Sequence, residues 1–213
     1  EIMKLFGKGI PPVFDANTFY VFEYFVIVVV LAVGAYIAYV SAGSVVDDVL
    51  YKTGAVNLSL PMPRWKLLLS RIIANFILAV VVMAVSLLIS TMLLVLVADR
   101  PLTLKNVTLL HLMGIIYAAS VISLATLLGT ILPITLAKST AAGIVLAMYI
   151  LDTMTLNTSL ENLGYLTLTR YYPVLEIAVH GTLKTADAII LALATTILTV
   201  AAIVLYRRKD IPV

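Results

Sequence analysis

Five long apolar runs constrain what this chain can fold into. They cover residues 20–40, 67–97, 109–132, 139–156 and 188–206. A bilayer core of about 30 Å needs roughly 20 apolar residues in a helix, and backbone polar groups in lipid must be paired within the segment or in a closed barrel. The runs are too continuously apolar for barrel strands, which alternate over about ten residues. The sequence therefore predicts an all-α, polytopic membrane bundle with five spanning helices, forming one domain over residues 1–213.

The composition agrees with lipid as the main solvent of this chain. Hydrophobic residues make up 62% of it, charged residues make up 12%, and its mean hydropathy is +1.13. A soluble domain carries about a quarter charged residues. The net charge of +3 is too weak to indicate nucleic acid, so no nucleic-acid partner is expected. The absence of cysteine excludes disulfides, thiolate catalysis and cysteine metal sites.

The basic residues predict an orientation. If the first run passes from outside to inside, the inner side carries Lys52, Arg64, Lys66, Arg71, Lys138 and Arg207 to Lys209, and the outer side carries Lys4, Lys8, Arg100, Lys105, Arg170 and Lys184. The inner excess favours this orientation and a cytoplasmic C-terminus. Residues 1–19 then lie outside and begin with Glu1, so the simplest account is an upstream span that belongs to the full protein. A processed or truncated chain is the alternative.

A polar interval joins the first two runs. Val45, Val46, Val49 and Leu50 share one face of a helical pattern, with Asp47, Asp48 and Lys52 off it. Gly54 can end such a helix, and Pro61 and Pro63 block its continuation until the next helix starts. We therefore expect residues 44–66 to form a short cytoplasmic amphipathic helix and a turn. The segment is either an elbow that only links two spans or a docking element for a cytoplasmic partner protein.

Two stretches resemble a known family. Residues 54–71 read Gly-Ala-Val-Asn-Leu-Ser-Leu-Pro-Met-Pro-Arg-Trp-Lys-Leu-Leu-Leu-Ser-Arg, and residues 206–211 read Tyr-Arg-Arg-Lys-Asp-Ile. Both resemble type-2 ATP-binding-cassette (ABC-2) transporter permeases, in which a leucine-rich piece leads to a Pro-x-Ser/Pro-Arg turn and the last span closes on basic residues and an Asp. The chain departs from that pattern in three ways: the acid before the glycine is displaced, the leucine-rich piece is about two residues short, and the first span of the family is absent.

The resemblance implies a transport subunit and its partners. Two permease subunits, identical or related, would form the pathway above two separate ATPase subunits, which bind ATP and Mg. The interval would be the coupling helix that engages the ATPase, through Asp47, Asp48, Lys52, Gly54, Leu58, Leu60, Pro61 and Arg64. The chain contains no Gly-x-x-x-x-Gly-Lys-Ser/Thr phosphate loop. We therefore expect neither ATPase activity nor a cofactor in the chain itself, and its direction of transport is expected to be export.

Polar residues inside the runs either line a transport pathway or serve helix packing. Asp152 is an acid within the fourth predicted span, and it is expected either near the outer surface or buried with a proton or cation role. Ser120, Ser123, Thr126 and Thr130 lie near one face of the third span, and Ser86, Ser90 and Thr91 lie in the second. Small hydroxyl residues more often serve close helix packing, so packing is the default interpretation for all seven.

The outer segment 158–187 contains the aromatic and charged residues Tyr165, Arg170, Tyr171, Tyr172 and Glu176. By resemblance it forms a re-entrant or surface helix, and an interfacial aromatic anchor is the alternative. His111 and His180 lack neighbouring ligands in the sequence, so no metal is assigned. Asn106 and Asn157 begin glycosylation acceptor matches, which arise often by chance.

Two functions from different classes stay open on the sequence alone. The first is the membrane permease subunit of an ATP-driven exporter. The second is a structural or assembly subunit of a larger membrane complex, without a pathway of its own. A secondary transporter would need buried charges and broken helices near the midplane, which the sparse interior charges disfavour.

Overall fold

The computed structural model describes residues 20–51, 63–97, 103–156 and 158–208. The first helix begins as a π-helical stretch, Val21–Val33, and continues directly as α1, Gly34–Leu50. The helices that follow are α2 (Arg64–Val97), α3 (Leu104–Ile131), α4 (Ala137–Thr155), α5 (Glu161–Gly164), α6 (Val174–His180) and α7 (Thr185–Arg208), with a 3₁₀ turn at Thr169–Tyr171. Over these described ranges there is no strand, which confirms the all-α class.

Four helices are long and apolar enough to cross a membrane. Among the described residues these are Glu23–Leu50, Arg64–Met92, Leu104–Ile131 and Thr185–Arg208. They correspond to the first, second, third and fifth predicted runs. The fourth run forms α4, a helix of 19 residues, but α4 is not in the set because Lys138 and Asp152 near its ends shorten its apolar part. The prediction of five spanning helices is thus confirmed for four.

Long-range contacts define an alternating bundle. Tyr20 hydroxyl donates to Ser90 Oγ at 2.7 Å, and Asn75 Nδ2 donates to Ser44 Oγ at 3.3 Å, so the first helix and α2 are antiparallel. In the same way α3 and α7 run parallel to α1, and α4 runs antiparallel to it. The C-terminal ends of α1, α3 and α7 therefore meet the N-terminal ends of α2 and α4. We call this the basic end, since Arg64, Lys66, Arg71, Lys138, Arg207 and Arg208 lie there.

The third helix forms the centre of the bundle. Of its apolar stretch 61% is buried, against 22% for α2 and 11% for α7. The outer faces of α2 and α7 expose large aliphatic side chains such as Leu88, Met92, Leu193 and Ile197. Faces of this size would make a water-soluble protein aggregate, but lipid solvates them. The structure is therefore that of a bundle whose peripheral helices face the bilayer.

The core has two main parts. The larger cluster includes Phe25, Val29, Leu110, Met113, Val145 and Ile177, and thus joins the first helix, α3, α4 and α6. A second cluster lies at the basic end and contains Val45, Val46, Leu68, Ala137, Ala202 and Tyr206. Burial of apolar side chains at both levels fixes the helices relative to one another. The second cluster includes Val45 and Val46, which immediately precede the candidate coupling residues Asp47 and Asp48.

Candidate coupling site at the basic end

The first helix extends well beyond its predicted span. The sequence predicted a span ending at residue 40 and a separate short helix from residue 44, but α1 continues without interruption to Leu50. The prediction of a separate helix is wrong because Ala38, Ala42 and Val46 form one continuous buried stripe along α1. At 1.5 Å per residue the added ten residues lengthen the helix by about 15 Å. This extension carries the chain from the bundle directly into the 52–62 segment.

Asp47 pairs with a cation from another helix. Lys138 Nζ on α4 lies 3.0 Å from Asp47 Oδ1 and 3.3 Å from Oδ2, so it contacts both carboxylate oxygens. The same ammonium group lies 4.7 Å from the ring centroid of Tyr39, about two helical turns before Asp47 on α1, a distance at which a cation is attracted to the ring face. The carboxylate and the aromatic ring of α1 thus hold the first turn of α4.

Asp48 pairs with α2 in a similar way. The Arg71 guanidinium forms an ion pair with the Asp48 carboxylate and also donates to the carbonyl oxygen of Ser44. Asn75 Nδ2, one turn further along α2, donates to Ser44 Oγ. An arginine that contacts a carboxylate and a carbonyl together fixes the relative position of two helices more strictly than a single point contact. The last two turns of α1 are therefore joined to α2 through Asp48 and to α4 through Asp47.

The predicted coupling residues fall into two groups. Asp47, Asp48 and Arg64 lie at the basic end, with Arg64 opening α2 directly after Pro63, as the helix-blocking prolines predicted. The remaining members Lys52, Gly54, Leu58, Leu60 and Pro61 lie outside the described residues. Sequence reasoning missed Lys138, Tyr39 and Arg71 as partners of the two acids. No local pattern could have revealed pairs separated by 91 and 23 positions.

The hydroxyl residues of α3 pack against α7. Ser120 Oγ lies 3.0 Å from Thr195 Oγ1, and Ser123 Oγ lies 2.9 Å from Thr199 Oγ1. Thr126, also buried, donates to a carbonyl of its own helix. Interhelical hydroxyl pairs of this kind associate helices in lipid, where each contributes on the order of 0.6 kcal/mol. These contacts support the packing interpretation of the stripe.

A polar cluster joins the first helix, α2 and α3 nearer the end of the bundle opposite the basic end. Tyr24 hydroxyl bonds to Ser86 Oγ, which lies 2.7 Å from Nε2 of the buried His111. His111 Nδ1 lies 2.8 Å from the carbonyl oxygen of Val107. A carbonyl only accepts, so Nδ1 carries the hydrogen and Nε2 accepts from Ser86. Sequence reasoning identified no partner for His111, and both of its ring nitrogens are engaged in contacts within the bundle. Among the described residues there is no group of three metal-ligating side chains.

The acid Asp152 faces the outer segment. Its Oδ1 lies 3.6 Å from Arg170 NH1, with both side chains about 85% buried, and Arg170 also pairs with Glu161. Burial opposes the charge of Arg170, but hydrogen bonds to Tyr165 and Glu161 and the charge of Asp152 outweigh it and raise the pKa of Arg170. Asp152 thus lies at the end opposite the basic end, where it forms an ion pair with a cation of the same chain.

The outer segment packs down onto the bundle as a cap. Tyr172 is buried, stacks on Tyr117 at 5.4 Å and donates through its hydroxyl to the carbonyl oxygen of Leu110 at 2.9 Å. Asn106 Nδ2 donates to the carbonyl oxygen of Ala178 at 2.7 Å, so this acceptor-motif asparagine is used in the fold. Helix α6, Val174–His180, lies within the outer segment for which a short helix was expected. Asn157, the other acceptor, is outside the described residues.

The long apolar helices and their bundle are those of a multi-pass membrane protein. The sequence matches the family described as ABC-2 family transporter protein over residues 14–211, which is nearly the whole chain. The chain therefore belongs to the ABC-2 transporter family and is a permease component of an ABC transporter. No curated protein and no solved structure matches it.

Proposed function

We propose that this permease works with a separate ATPase subunit, and that the basic end is the surface on which that subunit docks. The observation that carries the proposal is the extension of α1 to Leu50, which ends at the same end of the bundle as the start of α2 at Arg64. In the family resemblance the whole interval over residues 44–66, which includes residues 52–62, is the coupling segment. ATP and Mg would bind the partner, and the 52–62 segment would receive the motion that ATP binding causes.

The orientation follows from charge. Arg64, Lys66, Arg71, Lys138, Arg207 and Arg208 lie at the basic end. Cytoplasmic loops of membrane proteins carry an excess of Lys and Arg. We infer that the basic end, with the C-terminus, faces the cytoplasm and that the cap faces outward. Transport from the basic end toward the cap would be export.

A second permease subunit completes the proposal. A pathway in this family forms between two such subunits, identical or related, and we propose a dimer of that kind. Membership of a transporter family favours this function over the structural or assembly subunit that the sequence left open. The hydroxyl stripe of α3 supports neither, since its members are used in contacts with α7 and within α3.

The test introduces charge into the proposed docking segment. Leu58→Glu with Leu60→Glu would place two carboxylates where apolar contact with the ATPase is expected. Loss of central interface contacts costs about 2 kcal/mol or more, which is roughly a thirtyfold loss of affinity. We expect the full chain, purified from its native membrane, to lose the co-purifying ATPase subunit and its ATP hydrolysis while the spans stay inserted.

The matched control carries the same substitution at the cap. Leu160→Glu with Leu166→Glu alters two exposed leucines of the outer segment and should leave the ATPase subunit bound. If the Leu58 and Leu60 variant retains the ATPase at the wild-type ratio and hydrolyses ATP at the wild-type rate, the docking assignment is wrong. Recovery of some other membrane complex with no ATPase from the unmodified chain would favour the assembly-subunit function.

A further inference from the structure

The two ion pairs at the basic end connect three helices at one level. Asp47 and Asp48 are adjacent on α1, yet their carboxylates reach Lys138 on α4 and Arg71 on α2. The cations are largely buried, with side-chain exposures of 17% for Lys138 and 15% for Arg71. Charged groups removed from water in this way interact more strongly than exposed pairs. The pairs therefore oppose separation of α1 from α2 or α4 at this level.

Apolar packing surrounds the pairs and leaves little freedom. Val45 and Val46 of α1, adjacent to the two acids, belong to the same buried cluster as Leu68 of α2 and Ala137 of α4. A third helix also contacts α1 here. Gly129 of α3 approaches α1 so closely that an added Cβ would lie 2.9 Å from the carbonyl oxygen of Ala42. Close-packed contacts transmit displacement without deforming. A shift of the α1 terminus must then move its neighbours.

We propose that Lys138 and Arg71 are positioning residues that pass the motion of the 52–62 segment from α1 to α4 and α2. The inference rests on the proposed function and assigns a role to the helices next to α1. Lys138 is the more informative of the two, because α4 reaches the cap end, where Asp152 meets Arg170. Through Lys138, a displacement at the basic end reaches the cap by way of one continuous helix, α4.

The experiment follows α4 directly by distance measurements between spin labels. The chain has no cysteine, so introduced pairs can be labelled without background. Tyr51 with Arg208 reports the end of α1 against α7, and Met154 with Ile189 reports the outer part of α4 against α7; all four side chains are exposed. The full transporter with its ATPase is placed in lipid nanodiscs, and distances are compared without nucleotide and after trapping with ATP, Mg and vanadate.

Four backgrounds test the role of the cation. In the unmodified chain both label pairs should change on trapping. In Lys138→Met the Tyr51 pair should still change, whereas the change at the Met154 pair should fall by at least half. Lys138→Arg keeps the positive charge, so the distance change at the Met154 pair should return to that of the unmodified chain. Lys184→Met, which removes a cation of the exposed pair with Glu176 on the outer segment, is the matched control and should leave both changes intact.

The outcomes separate this inference from the proposed function. An unchanged response of the Met154 pair in Lys138→Met, with the Tyr51 pair responding normally, would overturn the positioning role alone. So would a loss that Lys138→Arg fails to restore at equal thermal stability, since that pattern indicates a local packing defect. If trapping moves neither pair in the unmodified chain, both the coupling assignment and the positioning role fail together.

Discussion

The close contact between α1 and α3 gives a quantitative prediction. It compares a glycine at this contact with a glycine on α4 that faces open space. Gly129 on α3 faces α1, where an added Cβ would lie 2.9 Å from the carbonyl oxygen of Ala42 and 3.1 Å from the Cβ of Val45. Neither atom can rotate away, because one belongs to the backbone and the other is attached to it. Alanine at position 129 therefore forces the two helices apart by several tenths of an ångström. Gly143 on α4 has no atom within 4 Å of the corresponding position.

The two substitutions are expected to change the free energy of unfolding in opposite directions. Overfilling a packed contact costs about 1–3 kcal/mol, whereas replacing glycine by alanine in a helix interior gains about 1 kcal/mol. Gly129→Ala should therefore lower the free energy of unfolding by up to about 2 kcal/mol after that gain is included. Gly143→Ala should leave it unchanged or raise it by up to about 1 kcal/mol. A difference of about 2 kcal/mol between the two variants is the signature of the close approach.

Reversible unfolding by sodium dodecyl sulfate in mixed micelles, followed by circular dichroism, measures both free energies. The two variants add the same methyl group to the same residue type, so differences in expression or detergent affinity are matched. Equal free energies of unfolding for Gly129→Ala and Gly143→Ala would refute the reasoning. That result would mean that α1 and α3 are further apart at the basic end than their contact indicates.

Two further predictions concern the cap. Arg170→Met leaves Asp152 buried without its cation and should cost about 3–5 kcal/mol, whereas Lys184→Met breaks an exposed pair worth less than about 1 kcal/mol; equal shifts of the thermal unfolding midpoint would contradict this. Gly181 ends α6 at φ 60°, and an added Cβ would lie 2.4 Å from Asn106 Oδ1. Gly181→Ala should destabilise the cap by at least about 1–2 kcal/mol and speed its cleavage in limited proteolysis; an unchanged cleavage rate would show that the cap does not depend on this turn.

The two ends of the bundle use charge differently. At the basic end the acids of α1 reach cations on two other helices, which joins three helices at one level. At the cap end Asp152 meets a single cation from the outer segment. The Lys184–Glu176 pair further out is exposed, with 60% of the Lys184 side chain and 39% of the Glu176 side chain accessible to solvent. Hydrogen bonding to Glu176 raises the pKa of Lys184. The charges that hold the helices together are thus partly buried, with side-chain exposures of 13% to 35%, while the outermost pair is solvated and contributes little.

The sequence by itself determined the class and most of the helices. Apolar runs of about 20 residues predict spanning helices, because a helix pairs all of its backbone groups within the segment. Pro63 predicted that α2 starts at Arg64. The basic clusters near Arg64 and Arg207 were expected on one side, and they lie at one end of the bundle. These features are local, because each depends on residues close together in the chain.

Only the tertiary structure decided what the polar residues contact. Asp47 and Lys138 are 91 positions apart, so no periodicity relates them, and the same holds for His111 and Ser86. The sequence also ended the first helix too early, since it could not show that Val46 would be covered by the start of α2 and α4. Burial and pairing depend on which helices become neighbours, and that is a property of the whole bundle, because helix neighbours are chosen by packing between segments distant in sequence.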